Sequence, residues 1–400
     1  MAAPKLRFLG FEEKWSEKKI GELAEIVRGA SPRPIQDAKW FDNESEIGWL
    51  RISDVTKQNG RIHYLEQKIS KLGQEKTRVL IEPHLLLSIA ATVGKPVINY
   101  IKTGVHDGFL IFLNPLFNQE FMFQWLEMFR PHWKKFGQPG SQLNLNSELV
   151  RNQEILIPNI AEQEKIASFF ETIDKKIQLQ QEKIDLLKQQ KKGLMQKIFS
   201  QELRFKDENG QDFAEWENKK LEDISEVRDG THDSPKYQPT GYPLITSKNL
   251  NKNGTLNFDD VNFISQFDFE AINKRSKVDK NDILFGMIGT IGNPVKVQEC
   301  DFAIKNVALI KDKNQLNNYL IHFLRSSFIN KQFYFSLAGG TQKFIGLSLI
   351  RQLNILLPCK EERIKITELF NRYDLKLKIE SHKLQSLIHQ KQAFMQQMFI

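Results

Sequence analysis

Small hydroxyls, amides and Gly/Pro turns recur in eight short stretches of this 400-residue chain, six of them carrying Arg or Lys. Four lie in the first half: VRGASPRP (27–34), RISD (51–54), TVGKP (92–96) and GQPGSQLNLN (137–146). Four answer them in the second: VRDGTHDSPKY (227–237), TSKN (246–249), TIGNP (290–294) and GGTQK (339–343). Cationic side chains neutralise phosphates, while Arg, Asn and Gln match base edges with paired donors and acceptors. Backbone amides of glycine-rich turns bind phosphate as well. Taken singly, such stretches are ordinary surface turns. In corresponding places, with different polar residues, they predict two readers of different DNA sequence. The candidate contacts are Arg28, Ser31, Arg33, Arg51, Thr92, Lys95, Gln142 and Asn144, then Arg228, Thr231, Lys236, Lys248, Thr290, Asn293, Thr341 and Lys343.

Catalytic constellations are harder to assemble. Amino-methyltransferases hold the target amine with an N-P-P-F/Y loop; NPLF at 114–117 puts Leu116 where the second proline is required, and the second half has no equivalent. GMIGTIG (286–292) is spaced G-x-x-G-x-x-G rather than the dinucleotide pattern G-x-G-x-x-G. No P-loop sequence occurs. Glu217, Lys219 and Asp212 faintly resemble a nuclease set that the first half does not repeat. The eight histidines show no metal-ligand spacing, and His106 and His232 read as surface residues or DNA contacts. No catalytic residue and no metal site is expected.

The elements that must position these loops are written twice. WSEKKIGELAEIVRG (15–29) returns as WENKKLEDISEVRDG (216–230), and LRF at 6–8 returns at 203–205. Residues 151–199 align without a gap on 351–399, sharing 17 of 49 positions. So long a period means duplicated domains rather than a solenoid. In each copy, short β-rich runs such as PVINYI and FAIKNVALI surround an aromatic helix, predicting an α+β domain. A long helix follows, led in by Pro158 or Pro358.

Its seam runs Ile166, Phe170, Ile173, Ile177, Gln180, Ile184, Leu187, Lys191, Leu194, Ile198, and again Ile366, Phe370, Tyr373, Leu377, Glu380, Leu384, Leu387, Lys391, Phe394, Met398. Steps of four and three alternate throughout, the signature of a coiled coil. Polar residues at the same two seam positions, Gln180/Glu380 and Lys191/Lys391, fix register at a cost in stability. Each helix should run about 33 residues, roughly 50 Å. The expected architecture has domains at 1–157 and 201–357, related by a pseudo-twofold, and helices at 158–200 and 358–400 pairing antiparallel. That arrangement would bring the two chain ends together.

Bulk properties agree with this reading. Lys and Arg number 57 against 49 Asp and Glu, a net charge of +8 that favours an anionic partner. Two cysteines, Cys300 and Cys359, exclude a disulfide framework and suit a reducing compartment. Neither a secretory signal nor a membrane span is expected, so the sequence predicts a cytoplasmic protein without a membrane partner.

IPNIAEQEKIASFFETIDKKI (157–177), following GSQLNLNSELVRNQEIL, completes a recognisable pattern with VRGASPRP, WLRISDV and TVGKPVI. Across essentially the whole chain it resembles the specificity subunit of type I restriction-modification systems. The second copy departs at LPCKEERIKI, which lacks the glutamine of the EQ pair. The resemblance implies a non-catalytic subunit whose two target-recognition domains each read half of a bipartite, asymmetric site on double-stranded DNA. It implies a helix pair that sets the spacer and docks two methyltransferase subunits, which carry S-adenosylmethionine. Two restriction subunits, which use ATP and Mg²⁺, would complete the cleaving complex. The rivals are a stand-alone DNA methyltransferase or nuclease, and a coiled-coil scaffold without a DNA role.

Overall fold

The computed structural model describes residues 4–133, 145–337 and 344–399. The chain divides into two compact units, Met1–Glu182 with His382–Ile400 and Lys183–Ser381. Each long helix therefore contributes to both units, so the compact units cut across the order of domains and helices along the sequence. No described helix is long and apolar enough to cross a membrane.

In the first unit the described strands are β1 (Ser16–Lys19), β2 (Glu25–Arg28), β3 (Gly48–Leu50), β4 (Arg61–Ile62), β5 (Arg78–Leu80), β6 (Leu85–Ser88), β7 (Pro96–Asn99), β8 (Thr103–Val105), β9 (Phe109–Leu113) and β10 (Glu154–Ile157). They form a five-stranded sheet in the order β2-β9-β6-β7-β4, a three-stranded sheet β3-β8-β5, and the pair β1-β10. β6 reads Leu-Leu-Leu-Ser and is buried throughout, which suits a continuous apolar run in the middle of a covered sheet. Phe112, Phe121, Trp125 and Trp133 extend that core towards the long helices.

The second unit repeats the plan with β11 (Glu217–Lys220), β12 (Val227–Asp229), β13 (Tyr242–Ile245), β14 (Asn262–Ile264), β15 (Ile283–Gly286), β16 (Gly292–Lys296), β17 (Ala303–Ile304), β18 (Val307–Ile310) and β19 (Asn354–Leu357). Its sheets run β12-β18-β15-β16, β14-β13-β17 and β11-β19. Among the described residues β4 has no counterpart in the four-stranded sheet. The turn glycines expected from TVGKP and TIGNP adopt left-handed backbone in both copies, Gly94 at φ +76° and Gly292 at φ +85°.

The long helices span Ile160–Phe199 and Lys360–Met398, 40 and 39 residues, longer than the heptads alone indicated. Asn159 explains the earlier start of the first: its side-chain oxygen accepts from the Glu162 amide at 2.9 Å. Every expected seam residue is buried or half-buried, while most positions between them are exposed. In the first unit Phe169 meets Phe394 at 5.1 Å and Phe170 stacks on Phe399 at 5.5 Å between ring centres. The amide of Leu6 donates to the Gln397 carbonyl at 3.0 Å, so the chain ends do approach each other. In the second unit Phe199 lies 5.7 Å from Phe370. From Phe170–Phe399 to Asp174–Lys391 in the first unit, and from Lys183–Glu380 to Phe199–Phe370 in the second, numbers rise on one helix as they fall on the other, so within each unit the helices run antiparallel.

Lys391, Lys191 and Glu380 of the polar seam find partners across the helix pair. Lys391 donates to Asp174 at 2.5 Å in the first unit, and Lys191 to Asp374 at 2.5 Å in the second. Lys183 donates to Glu380 at 2.8 Å. Burial pushes both Lys391 and Lys191 below the usual lysine range, and the facing aspartate opposes that shift.

The aspartates also tie the helices to the domain beside them. Asp174 accepts from Gln124 at 2.8 Å and pairs with Arg61 at 3.2 Å. Asp374 stands 3.8 Å from His322 and 3.9 Å from Arg325. His322 is buried, bonds Asn371 through Nε2 at 3.0 Å, and is pushed down to about 4 by burial and then by Lys191. Its folded value lies below the unfolded 6.5, so the unfolded chain binds the extra proton between them. Stability from neutral His322 is present above pH 6.5 and lost as pH falls towards 4, by up to ~1.4 kcal/mol per pH unit. His322→Gln, which copies Gln124 of the first unit, should remove that slope in denaturant unfolding of the second unit at pH 5 and 7.

Candidate nucleic-acid interface

The best-defined cluster of candidate residues forms where the loop after β2 meets the turn leading into β9. Two glycines allow that meeting. A Cβ on Gly29 would lie 2.2 Å from the His106 carbonyl oxygen, and one on Gly230 would lie 2.4 Å from that of Ile304. Only glycine fits such an approach. Gly29 donates its amide to Phe109 at 2.9 Å, and Gly230 does the same to Val307 at 3.0 Å. Ladder register then fixes equivalence: Arg28 faces Leu110 and Asp229 faces Ala308.

In the first unit Asp107 organises the junction. Ser31 Oγ donates to its Oδ1 at 2.9 Å and Arg33 Nη2 to its Oδ2 at 2.6 Å. Arg28 Nε donates to its carbonyl at 2.6 Å. Burial pushes the Asp107 carboxyl up, but the Ser31 hydrogen bond and the charges of His106, Arg33 and Arg28 together hold it below its ordinary value. Arg28 and Arg33 remain exposed.

The second unit places the opposite charges at the same positions. Asp229 stands where Arg28 stands, and it pairs with Arg275 from the helix Gln266–Ser276. His232 Nε2 lies 2.9 Å from Asp229 Oδ2, and Nδ1 lies 2.7 Å from Asn306 Oδ1. Asn306 first, then Asp229, raises the imidazole pKa above 6.5. Lys305 occupies the place of Asp107 and donates to Ser234. Thr231 bridges the backbone of Lys305 here. Arg228 is turned aside to Glu226 at 2.6 Å, and Lys236 lies exposed on the same loop.

The remaining candidates are dispersed. Arg51 caps a short helix while held by Asp54 at 3.1 Å and Glu66 at 3.5 Å. Thr92 Oγ1 lies 3.1 Å from Ser88 Oγ within the TVGKP turn. Lys95 turns inward: its ammonium is bonded to Glu127 and, at 2.9 Å, to Asn59, with only 13% of the side chain exposed. That charge is balanced inside the domain, so Lys95 braces the turn rather than offering a cation at the surface. Lys248 is exposed and pairs with Asp260 at 3.0 Å. Asn293 donates to the Leu250 carbonyl at 3.1 Å, beside the half-buried Thr290. Gln142, Asn144, Thr341 and Lys343 lie outside the described residues.

The nuclease-like set does not assemble. Glu217 pairs with Lys219 on one strand, and Asp212 faces Lys206. Leu116 of NPLF donates its amide to Leu23, making a turn that ties two segments together. Among the described residues no group of His, Cys, Asp and Glu could hold a metal ion.

Sequence reasoning missed a pair of buried clamps. Glu162 accepts Arg7 at 2.9 and 2.7 Å and the Trp15 indole at 3.2 Å; Glu362 accepts Arg204 at 3.3 and 2.7 Å and the Trp216 indole at 2.8 Å. Arg151 reaches the Ile26 carbonyl and Arg351 that of Val227, bracing the strand that feeds each junction. The signal was present, since the Arg, Trp and Glu side chains that make these bonds are identical in both copies. Gln163, absent from the second copy, bonds Asn118 and Pro158 in the first, so its loss leaves the clamp intact.

Comparison with known proteins agrees with this duplicated framework. The profile of the type I restriction modification DNA specificity domain matches residues 12–189 and again 214–389. The MjaVIII specificity subunit of Methanocaldococcus jannaschii is 21% identical over 403 residues, covering 96% of this chain and 91% of its own. The MjaIX specificity subunit of the same organism is 23% identical over 369 residues, covering 86% and 83%. In fold, the chain is similar to the S subunit from M. genitalium, with TM-score 0.59 and 14% identity over 100% of this chain and 99% of that one. It is also similar to a chain of a type I R-M system solved for complex assembly and conformational transition, with TM-score 0.57, 14% identity and coverage of 96% and 97%. With two copies of the domain, matching most of its length, the chain belongs to the type I restriction-modification DNA specificity family.

Proposed function

We propose that this specificity subunit reads a bipartite, asymmetric site on duplex DNA, residues 1–157 taking one half and 201–357 the other. The antiparallel helices set the unread gap and dock two methyltransferase subunits. Methylation, with S-adenosylmethionine, and ATP- and Mg²⁺-dependent cleavage by two restriction subunits belong to those partners. One observation carries the reading: the buried framework of the two copies is the same, down to Glu162/Glu362 and Gly29/Gly230, whereas the surface junction it supports holds opposite charges. Identical supports with different exposed side chains suit two readers of different half-sites.

Arg33→Ala and Lys236→Ala test the division of labour. Duplexes selected from a random pool by the assembled complex should show one relaxed block for each variant and an unchanged second block. A base-reading side chain is worth about 1–3 kcal/mol of discrimination at its position. Equal relaxation of both blocks by either change would contradict the assignment.

A further inference from the structure

We propose that Asp107 and Asp229 are positioning residues for base discrimination, each holding arginine side chains of its own domain at the DNA-facing junction. The inference deepens the reading above and rests on it. A carboxylate beside a polyanion is unfavourable by charge alone, so an acid at the centre of a reading surface needs another use. Here the use is visible. Arg33 is 74% exposed, yet its Nη2 is fixed by Asp107 Oδ2 at 2.6 Å. Ser31 at 2.9 Å occupies the other carboxylate oxygen, and the Asp107 amide lies 3.2 Å from Ser31 Oγ. A long side chain that would otherwise lose rotamer freedom on binding is therefore held before DNA arrives. The guanidinium carries five donors, so this bond leaves others for a guanine edge or phosphate.

The second unit supports the same role with different parts. Asp229 holds Arg275, itself 70% exposed, and His232 approaches the other oxygen. The arginine comes from a different element, because helix Gln266–Ser276 reaches the junction and the first unit has only Lys71–Gln74 at the corresponding stage of the chain. Lys305 at the position of Asp107 completes the exchange of acid and base. Moving the acid from the turn before β9 to the end of β12 changes which element supplies the fixed arginine, while the same glycine supports the backbone in both copies.

The test uses the full chain assembled with its methyltransferase subunits. Asp107→Asn, Arg33→Ala and the double variant are compared by sequencing the duplexes each retains from a random pool, and by affinity for one scrambled duplex. Asp107→Asn should lower the preference at positions of a single block by tenfold or more. It should leave scrambled-duplex affinity equal or a few-fold higher, since a negative charge has gone. The double variant should lose no more than Arg33→Ala alone, because Asp107 acts through that arginine. Asp229→Asn should do the same to the other block, through Arg275. Damage to the fold would instead weaken scrambled and selected duplexes together, and that result would overturn the positioning role. So would a preference within twofold of the wild type, additive losses in the double variant, or relaxation of both blocks. A wild-type complex that selects no two-block site would sink the two-reader account itself, and this inference with it.

Discussion

Glu162→Ala should unfold the first unit more readily by about 3–5 kcal/mol, a shift of roughly 6–20 °C for a unit of this size. The carboxylate is 1% exposed and receives both arms of Arg7 and the Trp15 indole. Removing it strands a guanidinium with 14% side-chain exposure and orphans a buried indole N–H. Glu362→Ala should do the same to the second unit, where Arg204 and Trp216 depend on a fully buried carboxylate. The two losses fall in separate units with no shared partner, so they should add within about 0.5 kcal/mol. Glu162→Gln keeps shape and one acceptor, and it should cost less than the alanine change. Differential scanning calorimetry of the full chain reads all four variants. A shift no larger than that of an exposed ion pair, ~0–1 kcal/mol, would show that the clamp does not hold helix to domain.

Asp174→Ala is the second large effect expected. Asp174 is the common acceptor for Lys391, Arg61 and Gln124, joining two helices and the domain at one point. Without it, Lys391 becomes a buried cation with its nearest opposite charge gone, at a cost of about 3–5 kcal/mol. Lys391→Ala, with Asp174→Ala and the double change, separates the pair from its surroundings. The double variant should lose far less than the sum of the singles, with a coupling of about 1–3 kcal/mol. Asp374 and Lys191 repeat the arrangement, so the same cycle there should give a similar coupling. Denaturant midpoints measured at constant m-value decide the matter. Additive singles would mean that the seam lysines do not fix the register of the helix pair.

Much of this architecture was legible because its signals are local or repeated. The heptads of Ile166–Ile198 and Ile366–Met398 need only a count of residues, and the seam they mark is the one that is buried. The turns at Gly94 and Gly292 were legible because proline fixes its φ and glycine takes the left-handed conformation freely, whatever surrounds them. Charge pairing was not. Lys191 and Lys391 declared themselves as polar seam residues, but their partners Asp174 and Asp374 lie outside the seam, about two turns along from its first residue. Lys95 looked like an exposed cation in a polar turn, and nothing local revealed that Glu127 lies beneath it. Asp107 and Arg275 were invisible for a further reason: the duplication does not repeat them, and they reach the junction from elements distant in sequence. Residues that differ between the copies are where a repeat falls silent, and the specificity is expected to sit there.

The most direct test of the central claim is the adenine methylome, read by single-molecule sequencing in cells that carry the partner methyltransferase with and without this chain. Two short specified blocks around a fixed gap, methylated only when the chain is present, are the predicted result. A continuous motif, or methylation that does not depend on the chain, would contradict two half-site readers joined by a helical spacer.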